Sequence, residues 1–246
     1  MIKKTLVIIP TYNEIENIES IIHKIFEIDL DLNILVVDDN SPDGTGDLVN
    51  NLMNKYSKKL FLEKRKQKEG LGVAYVQGFL WALKYNYDFI FEMDADFSHN
   101  PSELLPMLEL LNSNVDVVVG SRYIKGFSVV NWPLTRILIS YLASLYVRFI
   151  TLMPVKDPTA GFVGYKRNVL ISMNFEQIKF IGYAFQIEMK YKSWLNGFII
   201  KEHPIVFLNR KLGKSKMDKS IIWEALTGVL YLRLNKKMFL KKNDDA

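Results

Sequence analysis

The sequence predicts an α/β fold in which a mostly parallel β-sheet is flanked by helices. Short apolar runs rich in Val, Ile and Leu lack alternation, as expected for strands that are buried on both faces. Helical patterns separate these runs, and an alternation of strand and helix favours parallel strands joined by crossovers. Acidic and other polar residues follow several runs directly, at the strand ends where such sheets bind ligands.

The first half of the chain supplies most of the predicted sheet. The strand runs are short, and turn-forming residues follow them, such as Pro10 after the first and Asp38 after the second. Strands are predicted at residues 5–9, 33–37, 60–62, 88–93 and 115–120. Helices are predicted between them at residues 14–28, 44–57, 71–86 and 101–112.

The pattern changes after about residue 125, where a long aromatic and aliphatic helix is predicted at residues 132–152. A strand near 161–166, a helix at 182–196, strands near 198–207 and a terminal helix follow. A chain of 246 residues can still form a single core. We therefore expect one domain at residues 1–230, with halves at 1–125 and 126–230, and a basic tail at 231–246.

The composition excludes several kinds of site. The chain has no cysteine, so disulfides, thiolate zinc sites, Cys nucleophiles and iron–sulfur clusters are excluded. Only three histidines are present, which argues against a multi-histidine metal site. The apolar run near the N-terminus is too short for a signal peptide. Arg136 and Arg148 interrupt the most hydrophobic stretch, so no membrane-spanning helix is expected.

The positive charge is concentrated near the C-terminus. Lys and Arg number 32 against 27 Asp and Glu, a net charge of +5. From Lys201 to Ala246 the counts are 11 and 5, a net charge of +6, so the rest of the chain is close to neutral. Such a field suits phosphate groups or an anionic membrane surface. No nucleic-acid-binding module is visible, so we expect no nucleic-acid partner.

Two acidic clusters follow predicted strands. Asp94 and Asp96 stand one residue apart, a spacing that allows both carboxylates to share a divalent cation, because hard cations take oxygen ligands. Asp38 and Asp39 end a neighbouring strand. Like charges in one crevice repel each other unless a cation or ligand offsets them, so the joint pattern predicts a site. His99 lies near the acidic pair but is interpreted as a helix-start residue.

Basic residues that could meet phosphate are scattered along the chain. Residues 210–219 form a flexible, cationic stretch that suits a lid over a diphosphate. Gly70 and Gly72 precede a helix whose first turn could bind phosphate, although the helix start alone also explains them. The other basic candidates are Arg65, Lys68, Arg122, Arg136 and Arg148.

Taken together, these segments resemble the polyprenol-phosphate (dolichol-phosphate) mannosyltransferases. The segments that carry the resemblance are IIPTYNE, VVDDNSPDGT, GLGVAY with Arg65 and Lys68 before it, MDADFSHNP, GSRY, DPTAGFVGYKR, GYAFQIEM and EHPIVFLNRKLGKSKM. The resemblance implies an A-type glycosyltransferase fold with a Rossmann-like sheet and a C-terminal acceptor-side extension. Residues 1–125 would form the nucleotide-sugar-binding half of the catalytic domain, and residues 126–230 the acceptor-side half.

The resemblance also implies roles for individual residues. Asp94, Asp96, Arg122 and Arg210 match catalytic positions, and Asp94, Asp96 and Ser98 match the positions that hold Mg²⁺ or Mn²⁺. The positions implied for the nucleotide sugar are Pro10, Tyr12, Glu14, Val37, Asp39, Arg65, Lys68, Asp94, Ala95, Asp96, Arg122, Arg210 and Lys216. Family members often carry Ser-Arg-x-Ala-Asn where this chain has residues 140–144. We therefore assign the acceptor phosphate to Arg122, Arg136 and Lys216, with Arg136 as the substitute.

The activity implied is metal-dependent, inverting transfer of a hexose to a polyprenyl phosphate, with mannose from GDP-mannose favoured. Two alternatives keep the fold: UDP-glucose or another nucleotide sugar as donor, or a sugar acceptor in polysaccharide synthesis. A third is a nucleotide-sugar-binding or scaffold protein that has lost catalysis. The resemblance leaves the oligomeric state undetermined.

The lipid acceptor requires access to a membrane. The helix predicted at residues 132–152 gathers apolar side chains on one face, namely Leu134, Leu138, Leu142, Leu145 and Phe149. This face could instead belong to a core or a dimer interface. The tail combines apolar residues with Lys and Arg, as interfacial helices do. We expect peripheral association with the cytoplasmic face of a membrane.

Overall fold

The computed structural model describes residues 3–209 and 219–240 of the chain. Within these residues the strands form one large sheet and one small sheet. The strands are β1 (Thr5–Thr11), β2 (Leu32–Asp38), β3 (Leu60–Lys64), β4 (Phe89–Glu92), β5 (Val117–Ser121), β6 (Val129–Val130), β7 (Val163–Lys166), β8 (Ile200–Pro204) and β9 (Phe207–Leu208).

Helices connect these strands. They are α1 (Ile18–Phe26), α2 (Thr45–Lys55), α3 (Leu71–Lys84), α4 (Leu104–Asn112), α5 (Leu134–Thr151), α6 (Arg167–Ser172), α7 (Tyr183–Leu195), α8 (Lys219–Leu234) and α9 (Lys236–Phe239). Two short 3-10 turns occur at Pro101–Glu103 and Phe175–Gln177.

The large sheet has seven strands in the order β3-β2-β1-β4-β7-β5-β8. Neighbouring strands pair in parallel, except that β7 pairs antiparallel with both β4 and β5. The expectation of a mostly parallel sheet is confirmed. Because β7 comes from the second half and lies between two strands of the first, the two halves share one sheet. A parallel pair, β6 with β9, forms the small sheet.

Apolar side chains pack on both faces of the large sheet. One core cluster contains residues of α3 and α7, and the other contains residues of α1, α2 and α4. Every residue of β4 and β5 is buried. This two-sided burial explains why the strand sequences lack alternation.

The predicted elements are present, with shifted ends. The first helix begins at Ile18 rather than residue 14, because residues 15–17 form a turn in which the Glu14 carbonyl accepts hydrogen bonds from the amides of Asn17 and Ile18. The strand region near 198–207 splits into β8 and β9. The six-residue α6 was not predicted, since so short a helix shows too little periodicity.

Helix α5 is the long apolar helix predicted at residues 132–152. Among the residues that the structure describes, it is long and apolar enough to cross a membrane by length and composition. Both ends nevertheless contact the domain, since Arg136 donates to Asn209 at one end and Thr151 is fully buried at the other. The Tyr146 hydroxyl also donates to the Leu226 carbonyl of α8. These contacts favour a helix that lies along the domain.

Candidate active site

The carboxyl ends of β1, β2 and β4 meet at one edge of the large sheet. Thr11 pairs in register with Asp38, and the Asp39 amide donates to the Thr11 carbonyl at 2.9 Å. Strand β4 lies on the other side of β1 and leads directly to Asp94. The two acidic clusters therefore lie on either side of β1 at one edge of the sheet, where such sheets bind ligands, and the space between them is called the crevice below.

Other groups of the protein bind both carboxylates of the acidic cluster at the end of β2. Asp38 is fully buried and accepts hydrogen bonds from the hydroxyl groups of Thr11 and Ser41. The Asp39 carboxylate pairs with Arg65 at 2.6 Å. Both carboxylates of this cluster therefore have partners within the protein. Burial raises the pKa of Asp39, although the neighbouring guanidinium of Arg65 opposes the shift.

Arg65 connects the residues on the β2 side of the crevice. Its side chain is only 3% exposed, pairs with both Asp39 and Glu69, and its amide donates to the Asp38 carbonyl at 2.8 Å. Lys68 lies over the ring of Tyr12, with Nζ 4.5 Å from the ring centroid. The buried Arg65 side chain thus orients the Asp39 carboxylate. Lys68 and Tyr12 form an adjacent cation–π pair.

The other residues predicted on this side differ in exposure. Pro10 is half-buried in β1, opposite Val37 of β2. Val37 is fully buried in the core. The carboxylate of Glu14, buried nearby, accepts a hydrogen bond from the side-chain amide of Asn17, and the Glu14 amide donates to the Thr45 hydroxyl. Pro10 and Glu14 thus lie at this edge of the sheet, whereas Val37 is a core residue without exposed surface.

The loop after β4 presents the second acidic cluster. Asp96 is buried, and its Oδ1 atom accepts a hydrogen bond of 3.0 Å from the Ser98 amide. Asp94 is more open, with 38% of its side chain exposed. Ala95, which lies between the two aspartates in the sequence, and Ser98, which follows them, are also buried. The Asp96 carboxylate is thus held by the loop, whereas the Asp94 carboxylate is partly exposed.

His99 binds the backbone of this loop. Its ring is buried and stacks on Phe162 with centroids 5.0 Å apart. The Asp94 amide donates to His99 Nδ1 at 3.2 Å, so this nitrogen acts as an acceptor. Burial lowers the pKa of His99 to about 4. A neutral ring at physiological pH fixes the Asp94 backbone without cancelling its charge.

Arg122 is paired within the protein. Its Nε and Nη2 atoms donate to the two carboxylate oxygens of Asp157 at 2.7 and 2.6 Å, and Nη2 also donates to the Thr159 hydroxyl at 2.8 Å. Asp157 is completely buried. Burial alone would raise the pKa of Asp157, but the charge and hydrogen bonds of Arg122 hold it below its usual value.

Trp132 brings the two basic acceptor candidates together. The guanidinium carbons of Arg136 and Arg122 lie 4.0 and 5.7 Å from the centroid of one Trp132 ring. Phe207 of the small sheet packs edge-on against both Trp132 and His99. The small sheet therefore links the acidic loop to the start of α5. Arg210 and Lys216, also predicted here, lie outside the described residues.

Residues 6–173 match the family described as Glycosyl transferase family 2. This match spans more than half of the chain. The protein belongs to glycosyltransferase family 2. The prediction that it is a glycosyltransferase enzyme is confirmed.

Two curated relatives of this glycosyltransferase agree with the predicted resemblance. It is 43% identical over 224 residues to a polyprenol monophosphomannose synthase from Mycolicibacterium smegmatis, covering 91% of this chain and 84% of the relative. It is 40% identical over 226 residues to an undecaprenyl-phosphate mannosyltransferase from Micrococcus luteus, covering 92% of each protein. The resemblance to polyprenol-phosphate mannosyltransferases is confirmed.

The glycosyltransferase also resembles solved structures in its fold. A glucosyl-3-phosphoglycerate synthase from Mycobacterium tuberculosis, in complex with Mn²⁺ and UDP-glucose, aligns with a TM-score of 0.66 at 17% identity. The alignment covers 98% of this chain and 81% of that one. At this identity the likeness bears on the fold, and it confirms the predicted A-type architecture.

The acidic loop of this glycosyltransferase suits a divalent cation that is shared with a substrate. Asp94 and Asp96 offer hard oxygen donors beside a neutral histidine. No group of three or more Asp, Glu, His or Cys side chains gathers into a metal site in the part of the chain that the structure describes. Mg²⁺ is commonly held by one or two carboxylates plus substrate phosphates. Two carboxylates, with Ser98 nearby, fit that mode of binding.

Several buried polar residues of the glycosyltransferase received no predicted role from the sequence. Asp157 lies in the segment DPTAG, which contributed to the resemblance without receiving a role. Glu92 and Lys190 are completely buried and are spaced like core positions of their strand and helix, so no local pattern distinguishes them. Burial raises the pKa of Glu92 to about 8.

Proposed function

We propose that the protein transfers mannose from a nucleoside diphosphate sugar, with GDP-mannose favoured, to the phosphate of a polyprenyl lipid, inverting the anomeric configuration. The observation that carries this proposal is the 40–43% identity, across more than nine-tenths of the chain, to two enzymes named for mannose and polyprenyl phosphates. The acidic loop and the basic residues around Trp132 supply the charges that such a reaction needs.

The donor side of the site follows from the acidic loop. Asp94 and Asp96 would hold Mg²⁺ or Mn²⁺, and the ion, when bound, neutralises charge on the donor diphosphate. Tyr12, Lys68 and Asp39 line the other side of the crevice, where the nucleoside would lie. Arg65 would act by orienting Asp39, because its own side chain is buried.

The transfer itself needs no strong base. A phosphate monoester has a second pKa of about 6 and is largely ionised at neutral pH. Its oxygen attacks the anomeric carbon from the face opposite the diphosphate. The new bond forms as the bond from that carbon to the diphosphate breaks, and the electron pair leaves with the nucleoside diphosphate. Arg122 and Arg136 would bind the attacking phosphate.

The lipid chain would reach the site along α5. The side chains of Leu134 and Phe149, near the two ends of this helix, are 83% and 80% exposed. Helix α8 lies against α5 and adds the exposed side chains of Leu230 and Leu234. Basic residues at the end of α8 and in α9, including Arg233 and Lys237, suit anionic headgroups. We infer a peripheral membrane surface there.

The test is transfer of radiolabelled mannose from GDP-mannose to a short polyprenyl phosphate in detergent. Mn²⁺ and Mg²⁺ are added in parallel samples, and EDTA serves as the control. We expect lipid-linked label that depends on the cation, with a β-linkage if the donor is α-linked.

The alternatives give different results in the same assay. Transfer from UDP-glucose or UDP-N-acetylglucosamine, and none from GDP-mannose, would reject the mannose proposal and keep the fold. Label transferred only to a sugar acceptor would reject the lipid. Metal-dependent nucleotide binding without turnover with any acceptor would indicate a binding protein.

A further inference from the structure

A completely buried lysine lies near the centre of α7. Lys190 is 0% exposed, and its ammonium donates to the Ala160 carbonyl at 2.7 Å and to the carbonyl and side-chain oxygens of Gln186 at 3.0 and 3.2 Å. Two of these acceptors belong to its own helix. The third belongs to the turn at residues 157–161, so this bond ties the turn to α7.

The turn carries the groups that hold Arg122. Asp157 accepts hydrogen bonds from the Arg122 amide, Nε and Nη2, and Thr159 accepts a second bond from Nη2. The Thr159 hydroxyl also bonds Asp157, and the Ala160 amide donates to the Asp157 carbonyl. The position of Ala160 therefore influences the direction of the guanidinium.

The end of the same turn leads to the acidic loop. Phe162 follows directly and stacks on His99, whose Nδ1 accepts the Asp94 amide. A Cβ atom at Gly161 would lie 3.8 Å from the His99 ring. One turn thus contacts the supports of both the guanidinium and the acidic pair.

Several charged groups influence Lys190. Burial lowers the pKa of Lys190 to about 8, while Glu92, Asp157 and Glu202 favour its charged form and Arg122 opposes it. Glu202 accepts hydrogen bonds from the amides of Lys156 and Asp157 and so holds the start of the turn. A buried ammonium is costly unless it is well bonded, and its three acceptors meet that requirement.

We propose that Lys190 is a positioning residue, which fixes the turn at residues 157–161 through the Ala160 carbonyl and thereby orients the Arg122 guanidinium in the active site. The geometric part of this proposal concerns the protein alone. Its catalytic consequence rests on the proposed function.

The geometric part is tested by NMR of the protein labelled with ¹⁵N-arginine. The Nε–H signal of Arg122 is assigned with Arg122→Lys, and its exchange with water is measured. Lys190→Met removes the ammonium, and we expect exchange about tenfold faster or more, because the Asp157 turn loosens. Lys192→Met is the matched control, since Lys192 is also a buried lysine of α7 that donates to a backbone carbonyl, that of Gln177.

The control variant and a second substitution at Lys190 decide the outcome of the exchange experiment. Lys192→Met should change the Arg122 exchange rate by less than about twofold, because its contacts lie elsewhere. An unchanged rate in folded Lys190→Met protein would overturn the proposal. If Lys190→Met does not fold, Lys190→Gln keeps a polar tip and should give faster exchange in the same direction, and an unchanged rate there would equally overturn it.

The catalytic consequence is tested by a double-mutant cycle in kcat per folded molecule. Lys190→Met should lower kcat about tenfold in the wild-type background and less than about twofold in Arg122→Ala, because both changes remove one function. Equal losses in both backgrounds, or no loss, would reject the link. Absence of transfer by the wild-type protein would reject the proposed function, and the exchange experiment would still decide the role of Lys190.

Discussion

At the residue scale, the two carboxylates of the acidic loop have different environments. Asp96 is buried with one oxygen bonded to the Ser98 amide, whereas the Asp94 side chain is 38% exposed and its amide is bonded to His99. This arrangement makes the charge of Asp96 the first residue-scale feature to test.

Asp96→Asn should weaken Mn²⁺-dependent binding of GDP by about 100-fold or more. The substitution preserves an oxygen for the Ser98 amide but removes the ligand charge, and even residues behind the ligands alter metal affinity by roughly 10–100-fold. Titration calorimetry with and without Mn²⁺ measures the effect. Asp47→Asn is the control, because Asp47 is an exposed carboxylate paired with Lys64. Equal Mn²⁺ dependence in the two variants would remove Asp96 from the metal site.

The Asp157–Arg122 pair predicts a pH dependence of stability. The pKa of Asp157 in the folded protein lies below its usual value of 3.8, so its contribution is complete above that pH and is lost as the pH falls through the lower, folded value. Asp157→Asn should cost about 3 kcal/mol near pH 6, because it leaves a buried cation without its partner.

Urea unfolding at several pH values measures this contribution. The difference in unfolding free energy between the wild type and Asp157→Asn should stay constant from pH 6 down to the usual carboxyl pKa of about 4 and should narrow as the pH is lowered further. Asp47→Asn should follow the wild type throughout. A difference that does not narrow below about pH 4 would show that the Asp157 charge does not supply the stabilisation.

At the element scale, the start of α3 interlocks with the segment before α7. The Gly72 amide donates to the Ile181 carbonyl at 2.8 Å. A Cβ atom on Gly72 would lie 2.8 Å from the Phe180 carbonyl oxygen and 2.9 Å from the Phe185 ring. The two glycines considered as a phosphate-binding turn are thus explained by packing. This contact fixes the helix that follows Arg65 and Lys68.

Gly72→Ala should destabilise the protein by about 1–3 kcal/mol, because neither the carbonyl nor the packed ring can move away freely. The free energy of unfolding in urea is the measurement. Gly161→Ala is the control, since the nearest atom to its added Cβ is 3.8 Å away. If both variants lost the same stability, the close approach at Gly72 would not be the cause.

At the scale of the whole molecule, the two halves form one sheet and the exposed apolar face lies on the second half. Strand β7 pairs with β4 and β5, so neither half contains a complete sheet. The face formed by α5 and α8 carries large apolar side chains and is followed by basic residues in the same part of the chain. Such a surface suits a membrane better than water.

The double variant Leu138→Glu/Leu142→Glu should lower the fraction of protein bound to vesicles by about tenfold or more, because burial of each leucine contributes roughly 2 kcal/mol. Both side chains are more than half exposed in α5, so the fold should tolerate the change. Flotation with vesicles containing 30% phosphatidylglycerol is measured at about 0.1 M salt, where charges still act over about 10 Å. Leu105→Glu, at an exposed position of α4, is the control and should still float. Equal flotation of all three proteins, or none by the wild type, would reject the membrane surface.

The sequence by itself determined the alternation of strands and helices and the positions of the acidic clusters. Apolar runs, helical spacing and turn residues are local features, and local features specify local conformation. The apolar face of α5 was also visible in the spacing of its leucines. The motifs, taken together, sufficed for the fold and for the enzyme class.

The tertiary structure alone decided which charges meet. Asp157 binds Arg122 across 35 positions, and Asp39 binds Arg65 across 26, distances over which no periodicity operates. It also decided that β7 enters the sheet antiparallel and that large apolar side chains of α5 are exposed among the residues that the structure describes. Strand partners and the covering of a face depend on how all elements pack at once, whereas a local pattern specifies only which side of an element is apolar.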